Sequence, residues 1–168
     1  NGFRVGLSVC EDIWHQKVIT QLYEKGADLV LNINASPFHL NKIQERKNLI
    51  SGHASKFSMP IVYANQVGGQ DELVFDGTSM AMDSKGKQVL QLAKFEEDQA
   101  VVSFLSQHDG NILSDKNEVV SEDSELEEVY KALVLGAKDY INKNKFPGVL
   151  IGSSGGIDSA LTAVIAAD

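Results

Sequence analysis

Phe3-Arg4-Val5-Gly6-Leu7-Ser8-Val9-Cys10-Glu11-Asp12-Ile13-Trp14 is the stretch that decides the fold. Phe3, Val5, Leu7 and Val9 alternate with Arg4, Gly6 and Ser8, the period of a strand whose four large residues face a core. The strand delivers Cys10 at its C-terminal end. Val18, Ile19 and Leu22 then recur at helical spacing, Gly26 supplies a stop, and residues 29–33 read as a buried strand. Strand, helix, strand is the opening unit of an α/β fold.

Further along, residues 32–37 form a polar loop, and a helix is expected over 41–57 with Ile43, Ile50, Ala54 and Phe57 along one side. Met59-Pro60 ends it, and 61–64 is the next strand. Residues 66–71 are so rich in Gly and polar side chains that a loop is expected. Residues 79–83 and 89–92, joined by Ser84-Lys85-Gly86-Lys87, read as an antiparallel hairpin, and 100–105 as one more strand. Between 106 and 128 eight acidic residues face Lys116 alone, which is −7 of the total −8. Residues 106–123 read as an acidic linker. Ser124-Glu125-Leu126-Glu127 is a capping box opening a helix to about residue 142. A short apolar strand at 148–151 then runs into Gly152-Ser153-Ser154-Gly155-Gly156-Ile157-Asp158-Ser159, with helix-forming residues at 160–167. One helix, one strand and the start of another helix cannot bury a core, so residues 124–168 read as the opening of a second domain after a first one over 1–105.

Composition narrows the partners. Of 168 residues, 43% are apolar and 23% charged, enough to build a packed core. A net charge of −8 argues against nucleic acid or an anionic membrane as partner. One Cys rules out an internal disulfide framework and suits a reducing compartment, so the cytoplasm is expected. No apolar run nears the roughly 20 residues of a membrane span. The chain starts at Asn1 with no charged leader, and a true N-terminus further upstream is expected.

Two motifs carry chemistry. At Gly152 to Ser159 glycines admit close backbone approach, and the amides of a helix N-terminus point at an anion with a favourable dipole. No Lys follows as in a Walker loop, and the dinucleotide glycine pattern is absent. Asp158 instead offers a carboxylate suited to Mg²⁺ and Ser159 a hydroxyl suited to a phosphate oxygen. Cys10 at a strand end is well aimed for nucleophilic attack, yet Glu11 and Asp12 bring negative charge where activation needs a cation or base. By residue chemistry alone, a lone Cys is more often a small buried apolar residue than a catalyst.

Ser154-Gly155-Gly156-Ile157-Asp158-Ser159 resembles the S-G-G-x-D-S pyrophosphate loop of the ATP pyrophosphatase superfamily. The wider stretch from Val129-Tyr130-Lys131 to Leu161-Thr162-Ala163 is similar to the start of the synthetase domain of glutamine-dependent NAD synthetases. Val9-Cys10-Glu11-Asp12-Ile13-Trp14, Asn34-Ala35-Ser36-Pro37-Phe38-His39 and Ala64-Asn65-Gln66-Val67-Gly68-Gly69-Gln70-Asp71 with Phe75-Asp76-Gly77 resemble the nitrilase-type glutaminase domain of the same family. The resemblance implies the C-terminal half of an α-β-β-α sandwich, followed by the first helix, strand and phosphate loop of a Rossmann-like domain.

It also implies site residues. Cys10 falls on the nucleophile of a Glu, Lys, Cys triad, Ser36 and Lys42 on the positions that hold the amino-acid part of glutamine, and the Glu11 amide on an oxyanion donor. Gly152, Ser153, Ser154, Gly155, Gly156, Ile157, Asp158 and Ser159 fall on the ATP and pyrophosphate site, with Asp158 on Mg²⁺. The family's Glu and Lys lie upstream of the nucleophile, and residues 1–9 hold neither, so no glutamine turnover is expected from these 168 residues alone. The implied substrates are glutamine, ATP and deamido-NAD, and the implied assembly is a homo-oligomer. Read without the resemblance, Ser36 is also a turn residue before Pro37, Lys42 a solvated helix-start lysine, and the acidic and amide groups of 66–76 packing groups between domains. Two other readings stay open: a different amidase-coupled ATP pyrophosphatase synthetase, and a non-enzymatic nitrilase-like interaction module.

Overall fold

A computed structural model describes residues 2–106, 112–113 and 123–168; the expected linker at 106–123 falls almost wholly outside the described residues. In chain order the elements are β1 (Val5–Val9), a 3₁₀ turn (Cys10–Trp14), α1 (Gln16–Glu24), β2 (Leu29–Asn34), α2 (Lys42–Phe57), β3 (Ile61–Asn65), β4 (Val67–Gln70), β5 (Leu73–Asp76), β6 (Met80–Met82), β7 (Gln88–Gln91), β8 (Leu105–Ser106), β9 (Ile112–Leu113), α3 (Glu125–Lys143) and α4 (Ile157–Ala167). β1, β2 and β3 run parallel, joined by helices because parallel neighbours need a crossover, and β6 and β7 extend the sheet antiparallel in the order β1-β2-β3-β6-β7. Ile13, Ile19, Val30, Ile50, Ala54, Ile61, Met80 and Met82 close a core between the sheet and its two helices. Ala81, Val89 and Leu90 begin a smaller one on the other face.

The β1 alternation has the expected period but the opposite side. Gly6 and Ser8 face the helices, while Val5, Leu7 and Val9 point outward, Leu7 with 72% of its surface exposed. A Cβ on Gly6 would sit 3.2 Å from Leu22 Cδ1 and 3.3 Å from Ala27 Cβ, so the helix side admits only small residues. With Ile33 of β2 the outward residues form a bare apolar strip.

Residues 66–71 are not a loop: Val67–Gln70 pairs antiparallel with Leu73–Asp76. Backbone pairing does not require side chains, and the glycines have another use. A Cβ on Gly69 would lie 3.0 Å from the Gly136 Cα of α3, so two glycines let a helix rest directly on a strand. Asp139 accepts from the Gly69 amide at 2.7 Å, and Lys143 donates to the Gly69 carbonyl. Of the capping box expected at the start of α3, the N-cap half is formed, Ser124 Oγ accepting from the Glu127 amide at 3.3 Å.

Two expected strands are not formed. Of 100–105 only Leu105 pairs, as the first residue of β8, and 148–151 has no strand partner among the described residues, so Leu150 stands fully exposed. A strand exists through its neighbours, and propensity alone does not supply them. The sheet expectations at 61–64 and for the hairpin over 79–92 match β3 and β6–β7. The helix of the glycine loop begins at Ile157, earlier than the 160 expected.

Candidate active site

Because β1, β2 and β3 are parallel and in register, their C-terminal ends lie on one edge and deliver Cys10, the 34–37 loop and Asn65 together. Cys10 opens the 3₁₀ turn at φ 49°, a left-handed conformation uncommon outside glycine, and its thiol is free and half-buried. Three contacts hold the turn. Asp12 Oδ2 accepts from the Val9 amide at 3.0 Å, His53 Nε2 hydrogen-bonds the Ile13 carbonyl at 2.9 Å, and Lys42 Nζ lies 4.1 Å from the centroid of the Trp14 ring. Burial lowers the His53 pKa below its usual 6.5, against the opposing effect of this bond, which favours the charged ring. The Glu11 amide lies in the first turn, where the 3₁₀ pattern offers it no intrahelical acceptor.

α2 organises the edge. Lys42, Arg46, Ile50, His53 and Ala54 follow helical spacing along one stripe, and Ile43, expected on it, is only half-buried. Lys42 also donates to Glu45 at 3.0 Å and holds that carboxyl below its usual pKa. Arg46, fully buried, places all its donor nitrogens: Nη1 on both Asp76 oxygens at 2.9 and 2.8 Å, Nη2 on the Ser36 and Pro37 carbonyls at 3.0 and 3.1 Å, Nε on Ser36 Oγ at 3.2 Å. Asn65 takes the Ser36 amide on Oδ1 at 2.9 Å and donates Nδ2 to its carbonyl at 3.2 Å. Ser36 is therefore a buried, tightly held residue and not a solvated turn residue.

A polar row crosses the sheet beneath this loop. Asn32 Nδ2 donates to Ser8 Oγ at 2.9 Å, and Asn34 donates to Asn32 Oδ1. Tyr63, paired with Asn32 in register, is 1% exposed and its hydroxyl has no hydrogen-bond partner; burial, above all, pushes its pKa up. Arg46, Asn65 and Tyr63 were not singled out from sequence as site residues. Asn65 lies in a quoted block, whereas an Arg inside an amphipathic helix gives no signal of burial.

The second motif is separate from this edge. Its loop folds on itself around the Ser159 hydroxyl, which accepts from the Ser154 amide at 3.3 Å and donates to the Gly156 carbonyl at 3.0 Å. Gly155 takes φ +81°, and Gly156 is the N-cap of α4. Gly152 through Asp158 are exposed, with the Asp158 carboxylate in the first turn. No group of three metal-ligating side chains occurs among the described residues. An exposed single carboxylate beside a glycine-serine loop at a helix start fits Mg²⁺, which takes one or two carboxylates and completes its shell with other oxygens.

A cleft of about 420 Å³ lies away from both motifs, where Val67, Lys94, Phe95 and Tyr130 meet at the seam of α3 with the first unit. Lys94 crosses that seam to Glu128 at 2.6 Å. No helix among the described residues is long and apolar enough to cross a membrane.

Comparison with known proteins follows the same division. Residues 1–107 match the carbon-nitrogen hydrolase family and residues 129–168 the NAD synthase family. A glutamine-dependent NAD(+) synthetase of Synechocystis sp. is 38% identical over 98% of this chain and 31% of its own length. The structure of glutamine-dependent NAD+ synthetase from Acinetobacter baumannii in complex with adenosine diphosphate superposes with a TM-score of 0.89 at 41% identity, covering 98% of this chain and 31% of that one. An amidase of the nitrilase superfamily from Nesterenkonia superposes with a TM-score of 0.50 at 26% identity over 55% of this chain and 34% of its own. The chain thus spans about a third or less of the curated relatives' length, and half of a nitrilase-type sandwich followed by the start of a synthetase domain is its architecture.

Proposed function

The chain belongs to the carbon-nitrogen hydrolase family, and from that premise we propose that the enzyme containing it is a glutamine-dependent NAD synthetase. The observation that carries the reading is the order of two sites in one chain: a cysteine on a strained turn at the sheet edge, then a glycine-serine anion loop on a helix start.

Cys10 attacks the side-chain amide carbon of glutamine, whose carbonyl oxygen becomes an oxyanion beside the Glu11 N–H. Loss of ammonia leaves a γ-glutamyl thioester, and water releases glutamate and restores the thiol. Ser36 and Lys42 hold the amino-acid end of the substrate. At the second site ATP activates deamido-NAD as an adenylate with release of pyrophosphate, and ammonia displaces AMP to give NAD. The amides of Gly152, Ser153, Ser154, Gly155, Gly156, Ile157 and Ser159 receive the pyrophosphate oxygens, the Ser154 amide giving up the Ser159 hydroxyl and the Gly156 amide the Ser154 hydroxyl that they now hold. Asp158 holds Mg²⁺, which when bound offsets phosphate charge. A cytoplasmic homo-oligomer is the form we assign to the full-length enzyme; the one cysteine in these 168 residues suits a reducing compartment.

Cys10→Ser in the full-length enzyme tests the division of labour. Glutamine-supported NAD synthesis is expected to fall at least about a thousandfold, the scale of losing a catalytic nucleophile, with ammonia-supported synthesis retained. Loss of both would sink the reading.

A further inference from the structure

We propose that Arg46 is a positioning residue that fixes the polarity of Ser36, making its hydroxyl an obligate hydrogen-bond donor toward the α-carboxylate of the substrate. The proposal rests on the glutaminase reading above.

A serine hydroxyl has one proton and two acceptor sites. Arg46 Nε occupies one acceptor site at 3.2 Å, and the same guanidinium clamps the Ser36 and Pro37 carbonyls, so neither the side chain nor its backbone is free to turn. Among the described residues the Ser36 hydroxyl donates to no carbonyl or carboxylate, although the residue is 8% exposed; the group beside it is the buried Tyr63 hydroxyl, itself without another partner and a weaker acceptor than a carboxylate. An unmatched donor held rigidly at a site edge selects a ligand acceptor. Asp76 neutralises Arg46 through a two-oxygen contact, so the guanidinium orients without itself drawing the anion in. Lys42, one helical turn earlier on the same stripe, is the cation that attracts it, exchanging its exposed Glu45 partner for the substrate. Lysine at position 46 would keep the charge opposite Asp76 but cannot span the fork of five contacts.

The test measures alkylation of Cys10 in the full-length enzyme by two electrophiles. 6-Diazo-5-oxo-norleucine carries an α-carboxylate, and iodoacetamide has none. Arg46→Lys is expected to slow the amino-acid reagent about tenfold, the loss expected for one hydrogen bond to a charged group, and to leave iodoacetamide within about twofold. Ser36→Ala, which leaves the Arg46–Asp76 pair intact, is expected to give the same tenfold loss. Adding Arg46→Lys to Ser36→Ala should then change nothing further, because Arg46 acts through that hydroxyl.

A wild-type rate with the amino-acid reagent in Ser36→Ala overturns the proposal even if Arg46→Lys fails to fold. A second full loss in the double variant overturns it too, since Arg46 would then act independently. If the wild-type enzyme shows no preference for the amino-acid reagent, the glutaminase reading falls first and the proposal with it.

Discussion

Residues 2–106 and 123–168 have similar kinds of apolar side chain and use them in opposite ways. In the first region Ile13, Ile19, Val30, Ile50 and Ile61 are sealed between sheet and helices. In the second, Ala132 is the one buried apolar residue described, and Leu126, Leu150, Ile157, Leu161 and Val164 face outward. The two sites inherit that difference. Around Cys10, beyond the local Asp12–Val9 bond, the holding contacts span many residues of chain: Arg46 to Asp76, Asn65 to Ser36, His53 to Ile13. Around Ser159, every contact lies within five residues. A site built from distant segments is only as firm as the core beneath it, whereas a local loop forms wherever its glycines and helix start are present.

The sharpest test of this contrast pairs one substitution in each region. Ile50→Ala should destabilise by about 2–5 kcal/mol, read as a lower urea midpoint with Trp14 fluorescence as probe. Leu161→Ala should stay within about 0.5 kcal/mol. Equal effects would erase the distinction between the regions. Next in size is the joint between them: Gly69→Ala puts a Cβ 3.0 Å from the Gly136 Cα and 3.2 Å from the Asp139 Cβ. It is expected to cost about 1–3 kcal/mol in strain, seen as faster amide hydrogen exchange in α3 with less change at Trp14. The smallest effect is on pH. The folded-state pKa of His53 lies below its usual 6.5, so the unfolded chain binds the proton more readily. The stability contributed is complete above about pH 6.5 and is lost as pH falls toward the lower folded value. His53→Gln should flatten the decline of the urea midpoint between about pH 7 and 5; an unchanged slope would locate the titration elsewhere.

How much of this was legible in the sequence follows from the reach of each contact. The helices and the central strands announced themselves by period, and the Ser159 loop by a motif whose bonds are local. β1 showed its period but not its side, because inward Gly6 and outward Leu7 alternate identically whichever face is closed first. The Gly68-Gly69 strand was hidden by a rule about loops, since its partner helix lies nearly 70 residues later. Arg46 was invisible for the same reason: nothing within a few turns of α2 reveals that Asp76 and the Ser36 carbonyl will meet it. The carryover of Cys10, Ser36 and Lys42 came from family resemblance and not from spacing.

The left-handed backbone at Cys10 sets stability against chemistry at a single residue. A side chain there costs about 1–2 kcal/mol relative to a conformation any L-residue prefers, and glycine would relieve it while removing the sulfur. With Cys10 as the nucleophile we propose, selection for a sturdier fold alone would therefore favour a residue without the sulfur, and the turn trades backbone ease for a thiol held at the sheet edge.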